Sequence, residues 1–530
     1  MGVPTTLPTW TRDQVAARIL AGDNILILDG KVIRVPNSWL KAHPGGSITI
    51  QHFIGRDATD EVEAFHSDDT LRRMQGYAIG SVDVADEGWA PLQPPIHLGW
   101  IRKVGDDGVL HWHNEATPEY SSEDTELSPA SQILLVKRQD VPSDHGPSLS
   151  ALQPAPTSLS LKMQAQHSAA YKELHKRIKA AGLYQTRYIT GYGPEILRFL
   201  LFSVSSYVAY QKHWFFISAF ALGALWHQLV FTVHDLGHLA VTHEWAKDRL
   251  ISILLANWVG GLSVSWWVFT HNIHHVVTNH PSHDPDIQHL PFFANTPVFF
   301  KNLYSSYYKR ELTFDRFSHY IVLVQHRMFY IVMSLARFNL YRLSYTHLWV
   351  TRNEPMKVRG GRWSWWLEFA GLVFWWCWYG RVLRGCGSWQ TGLMYLLVSN
   401  MVPSPLHVQI VLSHYSRSTA DLGPTESFPH RQLRTTTDVV CHPSVAFLHG
   451  GLHLQITHHF FPRLPRHNLK EASWLVKQFA KEQGLEYAEF GFFEGNGEVQ
   501  STLKGVADQL RIMHMVADAE IKESLQAKRD

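Results

Sequence analysis

His271-Asn272-Ile273-His274-His275 sets three imidazoles within five residues. On a helix, positions i, i+3 and i+4 share a face, so these rings converge instead of scattering. Two further stretches repeat the arrangement: His234-Asp235-Leu236-Gly237-His238 and Gln455-Ile456-Thr457-His458-His459. A lone histidine on a helix is ordinarily a packing or surface residue. Seven in three such boxes read as a ligand set, because neutral imidazole is a common metal ligand. The boxes lie near apolar runs. Phe199–Gln211 and Phe215–Val233, parted only by Lys212-His213-Trp214, read as a helical hairpin that ends at the first box. Trp365–Gly380 and Thr391–Leu412 read as a second hairpin around Arg381 and Arg384. Runs near the ~20 residues a span requires predict about four transmembrane helices under a cytosolic cap of His boxes. Leu250–Phe269 and His319–Ala336 are apolar but interrupted, for example by Gln325-His326-Arg327. They read as helices lying in or on the interface. Lys and Arg are dense in 234–364 and 413–530, which puts those segments and both termini in the cytosol.

The bulk composition narrows the function classes. The chain has 530 residues, with 48 Lys+Arg against 46 Asp+Glu and a net charge of +2. So even a balance argues against a nucleic-acid binder. Histidine (33) and tryptophan (20) are in surplus, as metal ligation and membrane interfaces would require. Cys377, Cys386 and Cys441 are the only cysteines and form no CxxC, so neither cysteine-ligated metal nor a disulfide framework is expected. No basic stretch followed by an apolar run opens the sequence, so no signal peptide is expected. The mean hydropathy of −0.14 averages the apolar runs with polar flanks.

Residues 1–85 have a different texture, with short apolar runs between Gly, Asp and Pro. Ile25-Leu26-Ile27-Leu28 followed by Asp29-Gly30 reads as a strand and a turn. His43-Pro44-Gly45-Gly46 precedes Gly55-Arg56-Asp57-Ala58-Thr59 and then Phe65-His66-Ser67. Two histidines can fill both axial positions of one haem, leaving iron that moves electrons without binding oxygen. The glycine pair lets backbone pass close to a flat macrocycle. Residues 86–160 read as a largely irregular linker, with Pro129, Pro142, Pro147, Pro154 and Pro156 among Ser and acidic residues. Residues 161–530 hold the boxes. The fold class expected is therefore α+β: a small haem-binding domain followed by an all-α integral-membrane domain.

Imidazole suits Zn, Cu, Fe and Ni, so ligand type alone does not choose the metal. A haem electron donor on the same chain favours a redox metal over zinc. Soluble di-iron proteins use Glu-x-x-His pairs, and the one such pair, Glu63–His66, lies in the haem domain. A His-rich di-iron site is the remaining candidate. A zinc protease would need HExxH, and His243-Glu244 is followed by Trp245-Ala246-Lys247.

Residues 8–83, including Gly76-Tyr77-Ala78-Ile79-Gly80, resemble the cytochrome b5 family. That resemblance implies His43 and His66 as axial ligands of haem b. Residues 161–500 resemble the membrane fatty-acid desaturase superfamily, and the Gln455-led third box resembles its front-end branch. The resemblance implies two non-haem irons held by His234, His238, His271, His274, His275, Gln455, His458 and His459. It also implies a histidine near the end of the last span; His414 sits there, and His407 is a weaker candidate. His227, His243 and His280 are expected to be structural or to support the ligands. The implied reaction is O2-dependent desaturation of a membrane lipid chain. Its electrons pass through the fused haem domain from an NADH-cytochrome b5 reductase, at the endoplasmic reticulum. Thr278-Asn279-His280-Pro281, Asp284-Pro285-Asp286-Ile287-Gln288-His289-Leu290-Pro291-Phe292, His449-Gly450-Gly451 and Phe461-Pro462-Arg463-Leu464-Pro465-Arg466-His467-Asn468-Leu469 look most like fungal Δ8 sphingolipid desaturases, which act on the long-chain base of ceramides. Ala446-Phe447 stand where such relatives carry Asp-Trp. A front-end Δ5 or Δ6 fatty-acyl desaturase and a lipid 2-hydroxylase are the alternatives.

Overall fold

The computed structural model describes residues 7–84, 87–116, 146–353 and 362–526. At the N-terminal side, β1 (Thr9–Trp10), β2 (Asn24–Leu28), β3 (Lys31–Val35) and β4 (Ala78–Val82) form one sheet in the order β1-β4-β3-β2. The turn between β2 and β3 is Asp29-Gly30, both at positive φ (50° and 71°). That backbone matches strand twist in a two-residue hairpin, and Gly adopts it without strain. Helix Arg12–Leu20 starts at a capping box, Thr11 with Gln14, and buries Val15, Ala16 and Ile19 against Ile25, Ile27 and Val32. Four short helices follow, Asn37–Ala42, Ser47–Gln51, Thr59–Phe65 and Asp68–Met74; the first two pack Leu40 and Ile50 on Leu26, Ile33 and Val35, the opposite face of the sheet.

The stretch expected as irregular linker departs from that reading. β5 (Trp100–Val104) and β6 (Leu110–Asn114) pair antiparallel about a turn at Asp106-Asp107-Gly108. Trp89, Leu92 and Leu152 are buried in the core of the haem-type domain. A few large apolar anchors, spaced without period, hold this segment down, and each buried side chain of that size stabilises by roughly 1.5–3 kcal/mol. The expected boundary at 85–86 and most of the Pro-rich stretch lie outside the described residues.

Helices Gly193–Gln211 and Phe215–Gly237 form the first hairpin, and Trp363–Arg384 pairs with Trp389–Met401 in the second. The apolar run predicts that the last of these continues unbroken to Leu412. Instead it breaks at Val402-Pro403 and resumes as Ser404–Tyr415, because a proline lacks the amide that would continue the ladder. Phe215–Gly237 and the broken Trp389–Tyr415 are long and apolar enough to cross a membrane. The two stretches expected on the interface are sharply bent pairs: Trp245–Val259 with Val264–Val276 at 115°, and Arg316–Ser334 with Ala336–Thr351 at 70°. Counting each bent pair as one span would give four. The sharper bend turns at Gly260-Gly261, where Gly261 has φ 73°.

The hairpins present apolar side chains outward. Leu197, Leu200, Leu201, Val204, Phe216, Phe220, Phe369, Val373 and Phe374 are all exposed. A contiguous belt of this kind is costly in water and suited to hydrocarbon. Between the helices, polar groups find partners. Ser218 Oγ lies 3.0 Å from the Tyr395 hydroxyl, and the Tyr341 hydroxyl donates to Asn400 Oδ1 at 2.8 Å. The long helix Phe492–Gln526 closes the cap by packing on Arg316–Ser334 and Ser404–Tyr415.

Candidate functional site

The first site lies within the small N-terminal domain. His43 follows helix Asn37–Ala42 and His66 follows Thr59–Phe65, which brings their ring centroids 6.0 Å apart. His43 Nδ1 donates to the Gly46 carbonyl at 3.0 Å, and His66 Nδ1 donates to the Val62 carbonyl at 2.9 Å. A carbonyl only accepts, so each Nδ1 carries the proton and each Nε2 keeps its lone pair. Burial lowers the pKa of both rings, that of His66 to about 3, with His43 adding to the effect. Two neutral imidazoles with their Nε2 lone pairs left over, tilted 39° to each other, are the donor set a haem iron takes.

The second site is assembled from distant segments. The first box lies at the end of Phe215–Gly237, and the second is on Val264–Val276, which Ser263 caps by accepting from the Trp266 amide. The third is on the short helix Gln455–Phe460. Ligand nitrogens of His234, His238, His271 and His458 lie within 4.8 Å of one another, as do those of His274, His414 and His459. His275 joins the first group: its Nε2 is 3.1 Å from His271 Nε2 and 3.0 Å from His458 Nε2. So many ring nitrogens converging within reach of one another form a donor set that could hold a cation. Gln455, buried, opens the third-box helix three and four residues before His458 and His459, on their face. His414 therefore sits with the boxes, whereas His407 lies two turns earlier, its Nδ1 3.4 Å from the Met333 carbonyl.

Outer groups orient these rings. Asp284 Oδ2 accepts from His274 Nδ1 at 2.8 Å, Gln432 Oε1 from His459 Nδ1 at 2.9 Å, and the Thr435 carbonyl from His414 Nδ1 at 3.3 Å. Such partners set the tautomer and aim Nε2 inward. Asp284 is itself held by the amides of Asn279 and Asp286. Asp438 Oδ1 accepts from the Ile456 amide at 2.9 Å and so fixes the start of the third-box helix. Gln432, Thr435 and Asp438 have no role in the reading of the sequence, since none lies at a fixed spacing from a box. Asp284 stands there only as the first residue of a longer block, ten residues after His274, with no role of its own. His227, His243 and His280 have contacts away from the two groups of ring nitrogens. His227 sits edge-on to Phe231, His243 Nε2 lies 2.9 Å from the Tyr184 carbonyl, and His280 Nε2 lies 3.3 Å from Asp421.

Comparison with known proteins matches both parts. The model of the cytochrome b5-like heme/steroid binding domain covers residues 11–83, and that of fatty acid desaturases covers residues 212–491. The chain is 41% identical to a Delta 8-(E)-sphingolipid desaturase of Emericella nidulans, over 95% of each chain. It is 39% identical to one from Kluyveromyces lactis, over 97% of this chain and 95% of the relative. It is 36% identical to one from Candida albicans, over 97% of this chain and 98% of the relative.

Proposed function

This chain belongs to the fatty acid desaturase family, with a cytochrome b5-like domain joined on its N-terminal side, and from that premise we propose that it desaturates the sphingoid long-chain base of ceramide-type lipids at Δ8, giving a trans double bond. The observation that carries this reading is the convergence of eight imidazoles from three boxes and His414 on two adjacent centres, beside a bis-imidazole domain. The relatives' named activity and near end-to-end similarity supply the substrate. In this reading His43 and His66 hold haem b. His234, His238, His271, His275 and His458 hold one non-haem iron, and His274, His414 and His459 the other, with Gln455 beside them. When bound, the haem supplies single electrons and the irons activate O2; the overall change uses one O2, two electrons and two protons to turn CH2–CH2 into CH=CH and two waters. The chain's residues hold and aim. Asp284 and Gln432 keep the ligand rings in one tautomer. The outward apolar belt keeps the protein in the bilayer that supplies the lipid. Both hairpins end at ligands, His234 and His414, on one side, which supports cytosolic boxes, termini and haem domain in an endoplasmic-reticulum membrane. Electrons then come from NADH through a cytochrome b5 reductase.

A polar cluster lies beside Ala446-Phe447. Arg198 Nε donates to Gln228 Oε1 at 3.0 Å, Gln228 Nε2 donates to the Phe447 carbonyl at 3.1 Å, and the guanidinium lies 5.6 Å from the Phe447 ring. Amide and hydroxyl groups of a ceramide need such partners, since each buried unpaired polar group costs about 1–3 kcal/mol. The test is expression in a yeast that lacks Δ8-unsaturated long-chain bases. Mass spectrometry should find Δ8-unsaturated sphingoid bases with fatty acids unchanged. New Δ5 or Δ6 fatty acids beside untouched long-chain bases would reverse the substrate assignment.

A further inference from the structure

The second-box helix, Val264–Val276, is shared by two neighbours. His271, His274 and His275 face the metal cluster. Phe269, Ile273 and Val276 pack with Ile48, Phe53, Ala58 and Phe65 of the haem domain in one apolar cluster. Contact there is close: a Cβ on Gly46 would come within 2.5 Å of Phe269 Cε2, and one on Gly45 within 3.2 Å of Asn272 Nδ2. Separately, ion pairs Lys172–Asp29 (2.7 Å) and Lys179–Asp68 (2.6 Å) join the haem domain to helix Leu161–Ala180. Within this interface the residue before His66 is Phe65, and its ring lies edge-on to that of His275, centroids 5.7 Å apart at 83°. One backbone link and one ring contact therefore join an axial-type histidine to a metal-cluster histidine.

We infer that Phe65 is the tunnelling bridge between the two sites, filling the gap between His66 and His275 without itself being reduced. This rests on the reading that the domains hold haem and non-haem iron. One electron crosses at a time, the haem iron going from ferrous to ferric and a non-haem iron from ferric to ferrous, while the Phe65 ring couples the two without changing its own oxidation state and no atom or proton is exchanged there. Two passes supply the two electrons of one turnover. Electron transfer weakens steeply with separation, and a π system that fills the gap shortens the jump. A packing role alone makes a different demand, namely an apolar side chain of similar volume.

The test uses full-length holoprotein in detergent, oxidised, anaerobic, and given one electron per haem by a photoreduced flavin. The decay of ferrous haem absorbance is followed. In Phe65→Leu it should be about tenfold slower than in wild type, and in Phe65→Tyr close to wild type. The haem midpoint potential and the zero-length carbodiimide cross-link between Asp29 and Lys172 should be unchanged in both. A wild-type decay rate in Phe65→Leu overturns the inference. So does a slow decay that tracks loss of the cross-link, because Phe65 then only holds the domains together. If wild-type decay is no faster than in His275→Ala, the underlying two-site reading falls as well.

Discussion

The haem-type pocket and the metal cluster use the same side chain under different rules. His43 and His66 are each steadied by a carbonyl three or four residues away, Gly46 and Val62. Each ring is aimed by its own turn, so the pocket forms wherever that small domain folds. In the metal cluster the steadying groups are remote. His459 depends on Gln432 and His414 on Thr435, and His274 on Asp284 across a loop. That cluster exists only when helices from both hairpins and the cap have closed around it. Local steadying makes a modular site, and remote steadying makes a cooperative one.

The strongest way to break this comparison is to remove a cluster ligand. His238→Ala, His275→Ala or His459→Ala should abolish the product while full-length protein keeps its low-spin haem spectrum. Loss of the spectrum in these variants would show that the pocket is not independent. The reverse experiment has the next largest effect. His43→Ala or His66→Ala should lose the haem spectrum but retain about two non-haem metal ions per chain by metal analysis, as a di-iron site requires. Desaturation in cells should fall sharply and recover in part when a free cytochrome b5 is co-expressed. Metal lost together with haem would mean that the cluster needs the docked domain to close.

The same distinction explains which parts of the molecule are legible in its sequence. His43, His66 and the three boxes carry their geometry in short spacings, and both hairpins carry theirs in apolar runs around Lys212-His213-Trp214 and Arg381. Asp29-Gly30 marks its own turn. Gln432, Thr435 and Asp438 leave no such mark, because their role is a contact made across the fold, with no period or spacing to signal it. Trp89, Leu92 and Leu152 look like stray apolar residues in a linker; only the core of the haem domain supplies the surface they cover. The bends at Gly260-Gly261 and after Ser334 turn two apolar stretches into broken pairs, a choice decided by packing more than by hydropathy.

A smaller effect sharpens the contrast at one remote prop. Asp284→Asn keeps the size of the side chain but turns one of its two accepting oxygens into an NH2, so only one of the two backbone amide bonds survives, and it removes the charge that faces His274. Partners of this kind are worth about 10–100-fold in metal affinity. Metal retention during dialysis against a chelator should fall accordingly, with the haem spectrum unaffected. Retention equal to wild type would assign Asp284 to loop structure alone.

The smallest effect concerns Asp438, which is outside the membrane helices and holds the Ile456 amide and the Tyr487 hydroxyl. Burial pushes its pKa up to about 7 from an ordinary value near 3.8, against the pull of its hydrogen bonds. In the unfolded chain the carboxyl releases its proton at the lower value. Between the two values the folded state binds more protons, so stability falls as pH rises through this window and is full only below it. Asn at this position resembles the protonated acid: its oxygen accepts from Ile456, and its amide donates to Tyr487. Asp438→Asn should therefore melt at nearly the wild-type temperature at about pH 4 and gain on wild type as pH rises towards about 7. A constant offset between the two melting curves across that range would mean that Asp438 is charged in the folded protein. It would then hold the third-box helix as a carboxylate, adding its charge to the positive end of that helix.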